Sequence, residues 1–107
     1  LRSGQRERID PTARTVCDSL MPATPGTITW PILKEHLAGG LSVSDDNALD
    51  AIAFAWRELK LVVEPGGVVA LASLLYGGND YRGKTVGIIL SGGNVDPEIY
   101  REALSRG

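Results

Sequence analysis

The chain has 107 residues, a formal net charge of −2 and 43% hydrophobic residues, which fits one globular domain or part of one. No basic cluster is interleaved with aromatic residues, so a nucleic-acid partner is not expected. The sequence has no apolar run of membrane-spanning length, no Cys/His cluster for a metal and only one cysteine, which predicts a metal-free protein of the reducing cytoplasm with no membrane partner.

The first part of the chain is polar. Residues 1–12 contain Pro11, which predicts an irregular lead-in. The chain begins at Leu1 rather than Met, so we expect it to be a segment of something longer.

A first helix is predicted over about 30–37, with Thr27 or Thr29 as its cap and Pro31 in its first turn. His36 lies near the end of this helix. No nucleophile or carboxylate is spaced to suggest a catalytic partner, and we interpret His36 as a solvated surface residue.

The clearest helix is predicted over 45–60, after a short strand at 41–43. It is capped by Ser44 or Asp45, and Asp46 adds a second acid at its positive end. We interpret the paired acids as helix caps rather than metal ligands. The buried face of this helix is predicted from the helical spacing of its apolar residues, which are Leu49, Ile52, Ala53, Trp56 and Leu59.

A second short strand is predicted at 61–63, followed by a helix over 66–76 that is apolar on every side. Such a helix is expected to be enclosed by other elements. Glu64 follows the strand and precedes the helix. Its carboxylate is either a simple helix cap or a functional group directed into a crevice.

The third predicted strand is the apolar run 85–90, which is too short for a helix and ends in Ser91-Gly92-Gly93. Asp96 is the expected cap of a helix over 97–105. Three short parallel strands alternating with helices make an α/β fold, in which ligands bind at the carboxyl ends of strands. Glu64 and Ser91 are therefore expected in one crevice. The alternative is that each belongs to an ordinary tight turn between a strand and a helix, which shows the same sequence pattern in any α/β protein.

Two segments together resemble a known family. Residues 61–72, Leu-Val-Val-Glu-Pro-Gly-Gly-Val-Val-Ala-Leu-Ala, are similar to the Glu-Pro segment of serine/threonine dehydratases and serine racemases. Residues 89–96, Ile-Leu-Ser-Gly-Gly-Asn-Val-Asp, resemble the loop beside the cofactor ring in these enzymes. Further similar segments occur in matching order, at 15–20, 29–32 and 43–46. The family is that of pyridoxal-phosphate (PLP) enzymes with the tryptophan-synthase-β-like fold.

The resemblance implies cofactor-binding roles for Ser91, Gly92, Glu64 and Ser19. Ser91 matches the hydroxyl that hydrogen-bonds the pyridine nitrogen of PLP, and Gly92 matches the loop that passes under the ring, as does Gly93. Glu64 matches the carboxylate beside the ring. Ser19 lies close to the cofactor, at a position where many members have Gly, and Gly66 replaces a common Ser or Thr.

The resemblance also implies which parts of the enzyme lie elsewhere. Residues 13–107 look like the C-terminal part of the large PLP-binding domain. No lysine here matches the Schiff-base lysine, which is expected upstream with the glycine-rich phosphate cup, so this chain has no catalytic residue of its own and is expected to be inactive alone. Its partners would be the upstream part of the same enzyme, a small amino acid substrate and a second copy in a homodimer.

The implied reaction is β-elimination of a hydroxy amino acid to a 2-oxo acid and ammonia by a threonine/serine dehydratase. A serine racemase, or a dehydratase-like enzyme of another hydroxy amino acid pathway, is the alternative within the family. A noncatalytic interaction module derived from this fold is the alternative from another class.

Overall fold

The computed structural model of the chain describes residues 1–106. These residues form four α-helices, which are α1 (Thr29–His36), α2 (Asp45–Phe54), α3 (Pro65–Tyr76) and α4 (Pro97–Ser105). A short 3₁₀ helix covers Asp18–Leu20, and α2 continues directly into a π-helical turn over Ala55–Leu59. With that turn counted as part of the second helix, the four predicted helices are confirmed to within one residue at each end.

Local capping explains where two of these helices begin. The Ser44 hydroxyl accepts a hydrogen bond from the Asn47 N–H at 3.1 Å, and the Asn47 side chain accepts one from the Ser44 N–H at 3.5 Å. The Asp96 carboxylate accepts from the Glu98 N–H at 2.8 Å at the start of α4. The predicted threonine cap of α1 is wrong, because Ile28 is the N-cap and no side chain caps that helix.

The predicted strands are absent from residues 1–106, and the segments 41–43, 61–63 and 85–90 have no regular secondary structure. A β-strand is defined by a ladder of main-chain hydrogen bonds to a neighbouring strand. Two main-chain hydrogen bonds join the regions of the last two segments, from the Glu64 N–H to the Gly92 carbonyl and from the Ser91 N–H to the Gly67 carbonyl. Both lie beyond the ends of the segments 61–63 and 85–90, so no ladder forms between these segments. The alternation of strands and helices is therefore not present within the described residues.

The hydrophobic core lies where α2 packs against α3 and α4. Ile52 of α2 and Val68 of α3 are the largest fully buried side chains. The predicted burial of Trp56 in this core is wrong, since Trp56 is 43% exposed and packs edge-on against Tyr100 with ring centroids 6.2 Å apart. Leu59, which belongs to the same predicted face, is exposed as well, whereas Ala55 is buried at the helical spacing set by Ala48, Ala51 and Ile52.

Helix α3 is enclosed on every side only in its first turn, where residues 65–68 are all buried, so the prediction that the whole helix would be enclosed is wrong beyond that turn. Leu71 and Ala72 are buried, whereas Ala70 is exposed. Apolar surface is also exposed at α1, none of whose residues is buried. Exposed apolar side chains on and beside α1 are Ile28, Ile32, Leu33 and Leu37.

The interpretation of Asp45 and Asp46 as helix caps is wrong for their side chains, because Ser44 caps α2 and both carboxylates bind partners outside this helix. Asp45 accepts hydrogen bonds from the Thr15 hydroxyl and from the Val16 N–H, the latter at 3.1 Å. Asp46 pairs with the Arg106 guanidinium at 2.9 Å, which ties the end of α4 to α2. Within residues 1–106, no three His, Cys, Asp or Glu side chains lie together in a way that could hold a metal ion.

Among the helices of the same residues, none combines the length and the hydropathy that a membrane-spanning segment needs.

Candidate functional site

The candidate site is formed by the start of α3 and by the loop Ser91-Gly92-Gly93, which is called the 91–93 loop below. Two main-chain hydrogen bonds join these segments. The Glu64 N–H donates to the Gly92 carbonyl at 3.0 Å, and the Ser91 N–H donates to the Gly67 carbonyl at 3.3 Å. Residues that are far apart in the sequence are thus held side by side by main-chain atoms alone.

Gly67 makes the closest approach to the loop. A β-carbon at this position would lie 2.8 Å from the Gly92 carbonyl oxygen and 2.9 Å from the Gly92 nitrogen. Both atoms belong to the main chain and cannot move by rotation of a side chain. Gly67 is buried, so a side chain at this position has no route to solvent either. The first turn of α3 can contact the loop only because position 67 is glycine.

The Glu64 side chain does not cap α3, although Glu64 occupies the N-cap position. Its carboxylate instead lies over Gly92. A β-carbon on Gly92 would overlap the Glu64 Oε1 atom and would lie 3.1 Å from the Glu64 Cδ atom. The simple capping role is therefore wrong, and the carboxylate is directed at the glycine loop.

Ser91 and Glu64 line different cavities beside the 91–93 loop. Ser91 lines a cavity of about 300 Å³ together with residues 61–63 and 90. Glu64 lines a cavity of about 370 Å³ with Asp18, Asn94 and Asp96. The prediction of one shared crevice is thus wrong for residues 1–106, because Glu64 turns over Gly92 whereas Ser91 precedes it, but the predicted proximity of the two segments is confirmed.

The Ser91 hydroxyl is exposed, and no hydrogen bond joins it to another of the residues 1–106. Gly93, at the other end of the 91–93 loop, packs closely against residue 62, since a β-carbon on Gly93 would lie 2.7 Å from the Val62 carbonyl oxygen. The main chain of the loop is thus held by contacts to residues 62, 64 and 67, while the Ser91 hydroxyl makes no hydrogen bond within residues 1–106.

Ser19 reaches the same region from the 3₁₀ helix, which packs against α3. A β-carbon on Gly66 would overlap the Ser19 hydroxyl oxygen and would lie 3.3 Å from the Ser19 Cβ atom. The adjacent Cys17 is buried, and this burial raises the pKa of its thiol above the ordinary value, which favours the protonated, unreactive form. Asp18 and Asn94 line the cavity beside Glu64. They lie in the segments 15–20 and 89–96 that carry the resemblance, but the sequence interpretation gave neither of them a role.

No lysine lines either cavity beside the 91–93 loop. Lys60 follows the π-helical turn in a left-handed conformation (φ 59°), and its ammonium group donates to the Arg57 carbonyl at 2.5 Å. Lys34 lies on α1, and Lys84 precedes the segment 85–90. His36 is exposed at the end of α1, as predicted.

Known proteins share this sequence and structure. The family profile described as "Pyridoxal-phosphate dependent enzyme" matches residues 1–92. The chain is 38% identical to an L-threo-3-hydroxyaspartate ammonia-lyase of a Pseudomonas species, over 96% of the chain and 32% of the relative. It is 37% identical to a serine racemase of Schizosaccharomyces pombe, over 98% of the chain and 32% of the relative. Among solved structures, a threonine deaminase whose source is given as T.th. matches with a TM-score of 0.80 and 35% identity, covering 89% of the chain and 34% of that structure. The chain spans about a third of the length of these relatives.

Proposed function

The chain belongs to the family of pyridoxal-phosphate dependent enzymes, and from this premise we propose that it forms part of a threonine/serine dehydratase. The proposed reaction is β-elimination of a hydroxy amino acid to a 2-oxo acid and ammonia. The cofactor supplies the electron sink for such chemistry, and the protein positions and tunes it.

The observation that supports this proposal most is that the Ser91 side chain is exposed and its hydroxyl has no partner within residues 1–106. Its hydroxyl is exposed beside a cavity of about 300 Å³ and has no hydrogen-bond partner among residues 1–106, while main-chain contacts hold its loop. A hydroxyl can donate to a pyridine nitrogen without contributing a negative charge. The residues present therefore fit a ring-nitrogen contact from Ser91.

Further residues are assigned to the cofactor in the same proposal. Gly92 allows the close approach of the Glu64 carboxylate, and Ser19 contacts the first turn of α3. We place these three residues, with Ser91, around the PLP ring. Residues 13–107 then form the C-terminal part of the PLP-binding domain, after the lead-in 1–12.

The remaining parts of the site are assigned to the rest of the enzyme. No lysine lines the cavities beside the 91–93 loop, so we assign the lysine that carries the cofactor to the roughly two thirds of the relatives' length that this chain does not match. In this proposal the intact enzyme acts as a homodimer in the cytoplasm on a small amino acid.

Serine racemisation is the second candidate function, because the racemase of Schizosaccharomyces pombe is about as similar to this chain as the ammonia-lyase of Pseudomonas is. The latter also makes 3-hydroxyaspartate a candidate substrate beside threonine and serine.

An assay of the intact enzyme and of residues 1–107 alone tests the proposal. We expect the intact enzyme to release ammonia from at least one of L-threonine, L-serine and L-threo-3-hydroxyaspartate. We expect the chain alone to release none and to retain no PLP after borohydride reduction, as measured by mass spectrometry. Chiral chromatography of the serine reaction detects racemisation. Stoichiometric labelling of Lys34, Lys60 or Lys84 would contradict the assignment of the lysine to another part of the enzyme.

Ser91→Asp is expected to change the products of the intact enzyme. A carboxylate beside the ring nitrogen favours the protonated nitrogen, because an opposite charge stabilises a charged form. The stronger electron sink should raise the ratio of pyridoxamine phosphate to ammonia. Ser91→Ala, by contrast, removes one hydrogen bond worth about 0.5–1.5 kcal/mol and should weaken PLP binding roughly tenfold at most.

Ser42→Asp is the matched control, since Ser42 is also exposed and lines a different cavity formed by residues 1–2 and 38–42. Both products are quantified by chromatography for the wild type and the two aspartate variants. If Ser91→Asp binds PLP and leaves the product ratio unchanged, Ser91 is only a turn residue.

A further inference from the structure

The contact between Ser19 and Gly66 joins two parts of the chain that are far apart in the sequence. Gly66 is buried in the first turn of α3, and the 3₁₀ helix places the Ser19 side chain directly against it. A β-carbon on Gly66 would overlap the Ser19 hydroxyl oxygen, and it would also lie 3.5 Å from the Leu20 Cγ atom. The space that a side chain at position 66 would need is therefore filled by Ser19.

This contact is one residue away from the contact that holds the 91–93 loop. Gly67, the next residue of α3, leaves no room for a β-carbon against the main chain of Gly92, and its carbonyl accepts a hydrogen bond from the Ser91 N–H. A displacement of the first turn of α3 at position 66 would thus move the loop as well. The Ser19 hydroxyl itself has no hydrogen bond to any other residue in 1–106, so its oxygen and proton are available to a ligand.

We propose that Ser19 and Gly66 are a size-matched pair that positions the first turn of α3, and that the Ser19 hydroxyl takes the place of a hydroxyl at position 66. The pair has room for one side chain, which can be supplied from either position. The hydroxyl of this side chain donates a hydrogen bond to the bound cofactor, a part of the inference that rests on the proposed function. Ser19 and Gly66 are accordingly positioning residues, and neither takes part in the elimination itself.

A double-mutant cycle in the intact enzyme tests the pair. Gly66→Ser alone is expected to lower the thermal unfolding midpoint in the absence of PLP and to weaken PLP binding roughly tenfold or more, because the Ser19 Cβ atom, 3.3 Å from the added β-carbon, still crowds the site after the Ser19 hydroxyl has rotated away. Ser19→Gly removes the obstructing side chain. The double variant Ser19→Gly/Gly66→Ser should recover both the midpoint and the PLP affinity of the wild type.

A second double variant, Ser19→Gly/Gly66→Ala, separates volume from hydrogen bonding. It fills the site without a hydroxyl, so it should recover the unfolding midpoint and still bind PLP roughly threefold to tenfold more weakly than the wild type, as expected for one lost hydrogen bond. PLP affinity is measured by absorbance titration. If the losses of the two single variants simply add in Ser19→Gly/Gly66→Ser, the pair does not exist. If both double variants bind PLP equally well, the hydroxyl contact is overturned.

PLP binding and the unfolding midpoints test the cofactor contact and the size match separately. A wild-type enzyme that bound no PLP would contradict the proposed function and the hydroxyl contact together. The unfolding midpoints of the cofactor-free variants would still decide whether Ser19 and Gly66 are matched in size.

Discussion

Gly67→Ala is expected to destabilise the protein by about 2 kcal/mol and to abolish PLP binding by the intact enzyme. The added β-carbon would lie 2.8 Å from the Gly92 carbonyl oxygen and 2.9 Å from the Gly92 nitrogen. Overfilling of this kind costs roughly 1–3 kcal/mol and occasionally more, and main-chain obstruction on two atoms belongs at the upper end. The better helix propensity of alanine offsets about 1 kcal/mol of this cost.

Gly87→Ala is the control for Gly67→Ala. No atom lies within 4 Å of the β-carbon that alanine would add at position 87, and no positive φ is recorded there. Its free energy of unfolding, measured by urea denaturation of the intact enzyme, should stay within about 0.5 kcal/mol of the wild type, as is usual for surface substitutions. A Gly67→Ala variant that is as stable as Gly87→Ala would show that α3 and the 91–93 loop can separate without loss.

Gly92→Ala is expected to lower the rate of product formation on the order of 100-fold while changing stability little. The atom that obstructs a β-carbon here is Glu64 Oε1, at the end of a flexible side chain. The side chain can rotate away, so the fold is preserved, but the carboxylate leaves its place beside the loop. Misplacement of a functional group by about 1 Å can cost on the order of 10²-fold in rate.

The route of this effect through Glu64 is checked in a Glu64→Ala background. If Gly92→Ala acts by displacing the carboxylate, it should lower kcat little further once that carboxylate has been removed. An equal loss in both backgrounds would mean that Gly92→Ala acts on the loop itself. The urea midpoints of all three variants show whether any of them is unfolded.

The helices could be predicted from the sequence because their determinants are local. The cap at Ser44 with its partner Asn47, and the pair Asp96-Pro97 at the start of α4, lie within three residues of the helix ends that they determine. The predicted cap of α1 was wrong. Thr27 and Thr29 both have side chains that can cap a helix, but the residue at the N-cap is Ile28. Local chemistry shows which residues can cap a helix and leaves open which residue does.

Strands and long-range contacts could not be predicted in the same way. The apolar run 85–90 has the composition of a buried strand, but a strand also needs a partner, and none lies beside it within residues 1–106. The helical spacing of the apolar residues also did not indicate that Trp56, which lies in the π-helical turn after α2, is exposed. In the candidate site, the proximity of Glu64 to the 91–93 loop was predicted, whereas the contact of Ser19 with Gly66 depends on how the 3₁₀ helix packs against α3.

The bonds that hold the candidate site together belong to the main chain. The Glu64 N–H donates to the Gly92 carbonyl and the Ser91 N–H donates to the Gly67 carbonyl, so neither bond uses the side chain of Glu64 or of Ser91. Substitutions of these two side chains during evolution would therefore leave the frame in place. The position of the loop against α3 and the chemistry of these two side chains are thus set by different parts of the residues concerned.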